Sequence, residues 1–327
     1  MREGLRNRQA HATSWGIATV VLGALLGGCA GAGEATDAES IGNRESALIG
    51  GSPAVPDEFR STVGIADDCS AAKVAPRLFL TAAHCVAVGR PIKGFPVPDP
   101  FPPNDGIRED YLPGQPLSML FGLDASDAQQ GVFSIVATSI HPSWWACPPC
   151  QEPTRSQEGA ADIAVVEIAE ETPDIPEASV ALDAVGVGTP VVKVGWGCEE
   201  RTTVPQESLH LGRFKRADAV VIPASEIQVG NPLISDETVA TVDASYVVTA
   251  GHDQDAANAS LCLGDSGGPL YLPDASDPRV VGVNSDYTFL PTTDGVSWTD
   301  WHTRTSRGSL HGVAEWLIDL GVNTVGG

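Results

Sequence analysis

The chain has 327 residues, enough for about two domains, and its 35 Gly and 25 Pro are too few for a low-complexity protein. Apolar residues make up 42% of it, which is enough to bury a core and excludes global disorder. Nineteen basic against 42 acidic residues give a formal net charge of −23, which repels phosphate backbones and anionic lipid headgroups. We therefore expect no nucleic-acid binding and interpret the acidity as a solvated exterior.

The N-terminus has the pattern of an export signal. Arginines at positions 2, 6 and 8 precede an apolar stretch over 15–26, which is shorter than the about 20 residues needed to span a bilayer. The following sequence LGGC at 26–29 resembles the bacterial lipobox, in which the cysteine thiol carries the lipid. We expect a signal peptide over 1–28, lipidation of Cys29, and a linker or propeptide over 29–47. The alternative is an ordinary secretory cleavage nearby, with Cys29 discarded or left free.

The rest of the chain reads as an all-β protein. Short runs rich in β-branched residues recur between turn signals, and they predict strands at 78–81, 133–136, 163–166, 191–194, 219–222, 246–248 and 280–283. Eight prolines between Pro91 and Pro116 predict a long surface loop. One amphipathic helix is predicted at the C-terminus, from apolar residues at helical spacing: Leu310, Val313, Ala314, Leu317 and Leu320.

The cysteines indicate an oxidising compartment. Setting Cys29 aside leaves an even set that fits three disulfides in an exported protein: Cys69, Cys85, Cys147, Cys150, Cys198 and Cys262. The CxxC pair Cys147 and Cys150 is interpreted as a local loop disulfide. Redox chemistry is the alternative, while no second CxxC or clustered His pair completes a metal site.

Three short motifs bring together the residue types of nucleophilic catalysis. Gly264–Pro269, with the sequence GDSGGP, places Ser266 in a glycine-rich turn. His84 follows a predicted strand, and Asp162 precedes another. Serine is a weak nucleophile that needs a base, and a histidine base needs a carboxylate to fix its tautomer. All three types are present.

These motifs, in this order, resemble the chymotrypsin-like (trypsin-family) serine proteases. The resemblance runs from Leu48 to about Leu320 and includes LIGG at 48–51, TAAHC at 81–85, DIAV at 162–165, GWG at 195–197, GDSGGP and the terminal helix with Trp316. It implies a protease domain over 48–327, built of two six-stranded antiparallel β-barrels with a C-terminal α-helix. The active site would lie in the cleft between the barrels.

The resemblance also implies the role of each site residue. Ser266 would be the nucleophile, His84 the general base and then acid, and Asp162 the carboxylate that orients it. The backbone N–H groups of Gly264 and Ser266 would form the oxyanion hole. His141 would be structural. We expect no metal and no organic cofactor; the alternative is calcium bound by the acidic loops, for which the sequence has no recognisable ligand pattern.

Two disulfides are implied by the same resemblance. Cys69 and Cys85 match the bridge that braces the catalytic histidine. Cys262 matches a family position, but no cysteine follows it to serve as the usual partner. In this family the loop after GWG lies beside the oxyanion strand, so the resemblance implies a Cys198–Cys262 bridge. Thr249 stands at a further family cysteine position, so that bridge is expected to be absent.

Activation in this family pairs a newly freed α-amino group with the aspartate before the nucleophile. Here that pair would be Leu48 and Asp265, freed by a cut after the non-basic Ala47. Arg44 is an alternative cut site that would leave a terminus of the wrong length. With Cys29 lipidated, the cut after Ala47 would also release the catalytic domain from the membrane.

The resemblance also implies which residues form the specificity pocket, and we locate them by counting along the chain from the motifs. Ser260 would lie at the pocket floor, Ser285 would pair with substrate, and Tyr287 would narrow the entrance. These residues favour an uncharged side chain before the scissile bond. Asp300 would lie near the opposite wall, where a carboxylate attracts Arg or Lys, so a basic side chain is the alternative.

The sequence thus predicts a monomeric serine endopeptidase, made as a zymogen and acting on proteins or peptides. It would be exported as a membrane-anchored lipoprotein, secreted after propeptide cleavage, or both. The alternative from another class is a catalytically silent binding lipoprotein that keeps the fold. An esterase is disfavoured because the turn lacks the G-x-S-x-G order.

Overall fold

The computed structural model describes residues 48, 51–55, 57–66, 68–88, 104–122, 129–146, 160–197, 214–229, 234–251, 259–292 and 295–326, all within the unit Arg44–Gly327. The predicted signal peptide and linker, including Cys29, lie outside the described residues, so the domain boundaries at 28 and 47 stay predictions. None of the described helices combines the length and apolar character needed to cross a membrane.

The first half of the described chain forms a closed antiparallel barrel of six strands in the order β2-β3-β4-β7-β6-β5. In chain order its strands are β2 (Thr62–Ile65), β3 (Cys69–Ala75), β4 (Leu78–Thr81), β5 (Pro116–Phe121), β6 (Gln129–Ile140) and β7 (Ala164–Ile168). The strands β2, β3 and β4 are almost wholly buried because their short runs of apolar residues line the barrel core. β6 instead alternates, with Val132 and Val136 on its exposed face.

The second half forms a sheet whose central strands run in the order β10-β9-β12-β13-β14-β11. These are β9 (Pro190–Gly195), β10 (Lys215–Val220), β11 (Tyr246–Ala250), β12 (Pro269–Tyr271), β13 (Arg279–Thr292) and β14 (Gly295–Arg304). The two outer strands meet through a bridge between Val221 and Thr249 and a 2.9 Å bond from the Ile222 N–H to the Val248 carbonyl. This contact closes the six strands into a second barrel.

Three short strands complete the sheet. β1 (Ser52–Pro53) pairs with β10, while β8 (Ser179–Ala181) runs parallel to both β13 and β15 (Thr324–Val325). The described helices are α1 (Ala83–Val86), α2 (Ser143–Ala146), α3 (Asp236–Ser245) and α4 (Val313–Asp319). The all-β class with two barrels and a C-terminal helix is therefore confirmed.

The boundaries differ from the prediction at several elements. α3 is not among the predicted elements, although Ser235 caps it by accepting a bond from the Thr238 N–H. β10 ends before the predicted strand at 219–222 does. Leu310 lies outside α4 and is 47% exposed, whereas Val313 and Leu317 are buried as their spacing predicts. Within the proline-rich loop, the described part contains two 3₁₀ turns, Asn104–Gly106 and Glu109–Tyr111, and Pro116 begins β5.

Candidate active site

The centre of the site is a hydrogen-bonded pair, His84 and Asp162. His84 lies in α1, which begins directly after β4, and Asp162 lies just before β7, the neighbour of β4 in the barrel. His84 Nδ1 is 2.7 Å from Asp162 Oδ2, and the His84 backbone N–H donates to Asp162 Oδ1 at 2.9 Å. Because an ionised carboxylate only accepts, Nδ1 carries the proton and Nε2 is left with a lone pair.

The second barrel also holds the Asp162 carboxylate. Ser285 Oγ donates to Asp162 Oδ2 at 2.6 Å, and Thr303 Oγ1 donates to the Asp162 backbone carbonyl at 3.0 Å. Burial by itself would raise the pKa of the Asp162 carboxyl, but the charge of His84 and the hydrogen bonds from His84 and Ser285 outweigh it. The pKa of Asp162 therefore lies below its ordinary value, and the group stays ionised.

Ser266 lies in a turn that is docked against the first barrel. Its carbonyl accepts a 2.8 Å bond from the Ser70 N–H and lies 3.6 Å from Sγ of Cys85, the residue after His84. The structure thus brings Ser266 next to the helix that carries His84. The neighbouring Gly264, the other expected oxyanion residue, has a φ of 98°, a conformation that favours glycine.

Gly267 shows why this turn needs a glycine after the serine. A Cβ at this position would lie 2.1 Å from Thr81 Oγ1 and 2.4 Å from the Ser70 carbonyl, and the φ of 80° disfavours other residues. The absent side chain lets the turn lie directly on the first barrel, close to the segment that leads to His84.

Ser70 ties the two barrels together at this contact. Besides its backbone bond to Ser266, its Oγ donates to the Gly264 carbonyl at 2.8 Å and accepts from the Trp196 N–H at 3.1 Å. Its own carbonyl accepts from Thr81 Oγ1 at 2.9 Å. Ser70 therefore holds the turn through the residues on both sides of Asp265. No sequence motif indicated a role for Ser70.

Asp265 is fully buried beneath the turn. Its Oδ1 accepts from the Gly197 N–H and its Oδ2 from the Cys262 N–H, both at 2.8 Å. Burial is the main reason that the pKa of this carboxyl is raised to about 7, although the two backbone bonds oppose the shift. A Cβ on Gly195 or Gly197 would lie 2.1 or 2.5 Å from the nearest Asp265 side-chain atom, so the GWG segment wraps around the carboxylate.

Leu48, the predicted new N-terminus, is fully buried in this uncut chain. It packs in a cluster with Ala217, Ala259 and Leu261, and Tyr287 packs against that cluster. The cluster lies beside the segment that leads into the Ser266 turn. The predicted pairing of a freed Leu48 amine with Asp265 stays a prediction, since the amine is part of a peptide bond here.

The predicted pocket residues lie around that segment. Ser260 is 1% exposed, and Ser285 contacts Asp162 as described above. Tyr287 is partly buried and pairs across the strands with Asp300. Asp300 is fully buried, and its Oδ2 accepts a 2.7 Å bond from Lys193 Nζ.

Among the disulfides, the Cys69–Cys85 bridge is confirmed, with a Cα–Cα distance of 6.2 Å. Cys262 is also disulfide-bonded. Its predicted partner Cys198 lies outside the described residues, as do Cys147 and Cys150, so those pairings stay predictions. Cys69, Cys85 and His84 cluster closely, but the two sulfurs are bonded to each other and so provide no thiolate for a metal ion.

Two other histidines are buried and contact neighbouring side chains. His141 Nδ1 is 2.9 Å from Ser143 Oγ, and the His141 ring packs edge-on against Trp316; burial and the nearby His311 lower the pKa of His141 to about 4. His302 lies between Thr249 Oγ1 at 3.0 Å and Asn284 Oδ1 at 2.8 Å. Burial, with the charge of Lys193, holds the pKa of His302 well below its ordinary value.

Sequence reasoning assigned no role to His302, Asn284 or Lys193. Asn284 directly precedes Ser285, and its Nδ2 donates to the carbonyls of Val194 and Asp265 at 3.1 Å. The only available signal was the presence of polar residues inside otherwise apolar strand runs, which is typical of buried hydrogen-bonding groups.

Residues 150–289, somewhat less than half of the chain, match the family model described as Trypsin. The matched segment contains Asp162 and Ser266 but not His84, and it supports a serine protease-like function. No curated protein matches the chain.

Proposed function

We propose that this protein is a serine endopeptidase of the chymotrypsin-like class, hydrolysing peptide bonds through an acyl-enzyme on Ser266. The observation that carries the proposal is the 2.7 Å bond between His84 Nδ1 and a buried Asp162 carboxylate, with the Ser266 turn docked beside α1. This arrangement supports the proposal that His84, as a base of defined tautomer, acts on the Ser266 hydroxyl.

The proton path follows from these contacts. His84 Nε2 takes the proton of the Ser266 hydroxyl as Oγ attacks the substrate carbonyl carbon, and the charge on His84 is stabilised by Asp162. The N–H groups of Gly264 and Ser266 stabilise the oxyanion. His84 then gives its proton to the leaving amine, which breaks the peptide bond. Water repeats the sequence on the ester and restores Ser266.

The buried Asp265 supports synthesis as a precursor. In the uncut chain its carboxylate is bonded to two backbone N–H groups, and within the described part of the chain no cationic side chain forms a hydrogen bond or ion pair with it. A cut after Ala47 would create an ammonium group at Leu48, whose side chain is already buried beside the segment 259–261. Pairing with Asp265 would then order the oxyanion turn, because an uncompensated buried carboxylate is costly.

The substrate preference follows from the pocket residues. The buried Ser260 at the predicted floor carries no charge and favours an uncharged side chain before the scissile bond. A basic side chain is the alternative, based on Asp300. Because Lys193 donates to Asp300 and pairs with its charge, we favour the preference for an uncharged side chain.

Export is proposed from the N-terminal sequence alone. The segment 1–28 would direct export, a lipid on Cys29 would anchor the precursor, and the activating cut would release the enzyme as a monomer. Proteins or peptides outside the cytoplasm would be its substrates.

Labelling with a fluorophosphonate tests the proposed chemistry directly. We expect the processed protein to be labelled at Ser266, with labelling lost in Ser266→Ala and strongly reduced in His84→Ala. His141→Ala is the matched control, because this buried histidine contacts Ser143 and Trp316 rather than Asp162. Absence of labelling in processed, folded wild-type protein would contradict the proposal and favour a silent binding protein.

A further inference from the structure

Lys193 is a fully buried lysine in β9 that the proposed chemistry leaves unused. Its Nζ donates to Asp300 Oδ2 at 2.7 Å, to the Ala250 carbonyl at 2.9 Å, and to the Ala259 carbonyl through a short bond. Both side chains of the Lys193–Asp300 pair are 0% exposed. The three acceptors match the three protons of an ammonium group, so the lysine head is held in one position.

The pair lies behind the region that receives the substrate side chain. Ala259, one acceptor of Lys193, directly precedes Ser260, and the chain runs from there into the Ser266 turn. Asp300 is the cross-strand neighbour of Tyr287, two residues beyond Ser285, which contacts Asp162. The side chain before the scissile bond is attached to the atom next to the attacked carbonyl. In the proposed peptidase, the family resemblance implies that this side chain enters between these two segments.

The charges of the pair act on the buried carboxylate of Asp265. The charge of Asp300 raises the pKa of Asp265 and the charge of Lys193 lowers it, both as smaller effects than burial and the backbone bonds. The two contributions oppose each other, as expected for a neutral pair. Water does not screen the pair because both members are fully buried.

We propose that Lys193 is a specificity-determining residue, whose ammonium group cancels the charge of Asp300 at the wall of the predicted substrate pocket. The pocket therefore accepts an uncharged side chain and rejects both cations and anions. This inference rests on the proposed peptidase function. Substituting either member of the pair should therefore change the substrate preference, because the remaining member would be an uncompensated charge facing the substrate.

Two single variants should change the specificity in opposite directions. Lys193→Met leaves the Asp300 carboxylate and should raise kcat/KM for peptides with Lys or Arg before the scissile bond, relative to Ala or Leu, by at least about tenfold. Asp300→Asn leaves the Lys193 ammonium group and should raise kcat/KM by a similar factor for peptides with Asp or Glu before the scissile bond. The double variant Lys193→Met/Asp300→Leu should keep the preference for uncharged side chains. Because it leaves no unpaired buried charge, it should fold even where a single variant fails to fold.

Lys73→Met is the matched control. Lys73 is also buried, donates to the Thr172 and Ile175 carbonyls, and lies near Glu177, but it belongs to β3 in the first barrel. The Lys73→Met substitution should leave the cleavage profile unchanged. A wild-type enzyme that prefers charged residues, or a folded Lys193→Met or Asp300→Asn variant with an unchanged profile, would overturn the proposal.

Binding of benzamidine, a planar cation, separates this inference from the proposed function. In a Ser266→Ala background, calorimetry should detect benzamidine binding at least about tenfold tighter in Lys193→Met than in the parent protein. This readout does not depend on catalysis. Failed labelling of wild type at Ser266 refutes the peptidase, whereas unchanged benzamidine affinity refutes the role of Lys193.

Discussion

The two barrels hold their buried polar groups in different ways. In the interior of the first barrel, several buried polar side chains bond to backbone carbonyls beside an apolar centre: Thr81 to Ser70, Thr138 to Tyr111 and Lys73 to Thr172. In the second barrel, buried polar side chains bond to backbone carbonyls and, in addition, to one another: Lys193 to Asp300, and Thr249 to His302 to Asn284.

This difference matches what each barrel contributes to the site. The first barrel presents His84 and Asp162 at the ends of closely packed strands. The second positions the Ser266 turn through a network in which Asn284 reaches the Asp265 carbonyl and Lys193 affects the Asp265 carboxylate. Hydrogen bonds orient both the base and the nucleophile turn, but the turn depends in addition on a buried network of polar and charged side chains. We therefore expect the second barrel to be the more sensitive to pH and to single polar substitutions.

The largest expected effect is at the contact between the barrels. Asp162→Asn should lower kcat for peptide hydrolysis by about 10⁴-fold, because an amide that donates to His84 favours the wrong tautomer. Kinetics with a chromogenic peptide, alongside unfolding of both proteins, would measure this. A folded variant with less than about a tenfold loss would show that Asp162 is not the orienting carboxylate.

The next effect concerns the pH dependence of the second barrel. In the uncut chain, the pKa of Asp265 rises from 3.8 to about 7 on folding, mainly through burial. Between these values the folded chain keeps a proton that the unfolded chain has released, so the stability that Asp265 contributes is lost as the pH rises. The Asp265 contribution to the slope should reach about −1.4 kcal/mol per pH unit.

Urea unfolding of uncut Ser266→Ala protein between about pH 4 and pH 8 would measure this slope, with Ser266→Ala/Asp265→Asn as the control that removes it. Protein cut after Ala47 should also lose the slope, because the Leu48 ammonium would keep Asp265 ionised. Equal slopes in the uncut protein with and without Asp265 would refute the raised pKa.

The smallest expected effect is the difference between substitutions in the two barrel interiors. Asn284→Ala removes partners from His302 and from the Val194 and Asp265 carbonyls, and should cost about 2 to 4 kcal/mol of unfolding free energy with a parallel fall in kcat. Val166→Ala in the first barrel should cost about 2 kcal/mol with kcat nearly unchanged. If both variants lose activity in proportion to stability, the proposed difference between the barrels is wrong.

Much of the fold was predictable from local patterns. β-branched runs located seven of the fifteen described strands, and helical spacing located α4, because side-chain periodicity depends only on neighbours along the chain. α3 was missed, and the predicted strand at 219–222 was displaced from β10. Element ends are decided by caps and by the partner strand, neither of which local periodicity describes.

By itself, the sequence determined the all-β class and nominated His84, Asp162 and Ser266 through motifs in which each residue has chemically distinctive neighbours. Tertiary structure alone decided that Ser70 bridges to the Ser266 turn, that His302 bonds Asn284, and that Lys193 pairs with Asp300 across 107 residues of chain. The physical reason is that such pairs depend on strand order and register. These bring together residues that are far apart in sequence and leave no periodic signal in either segment.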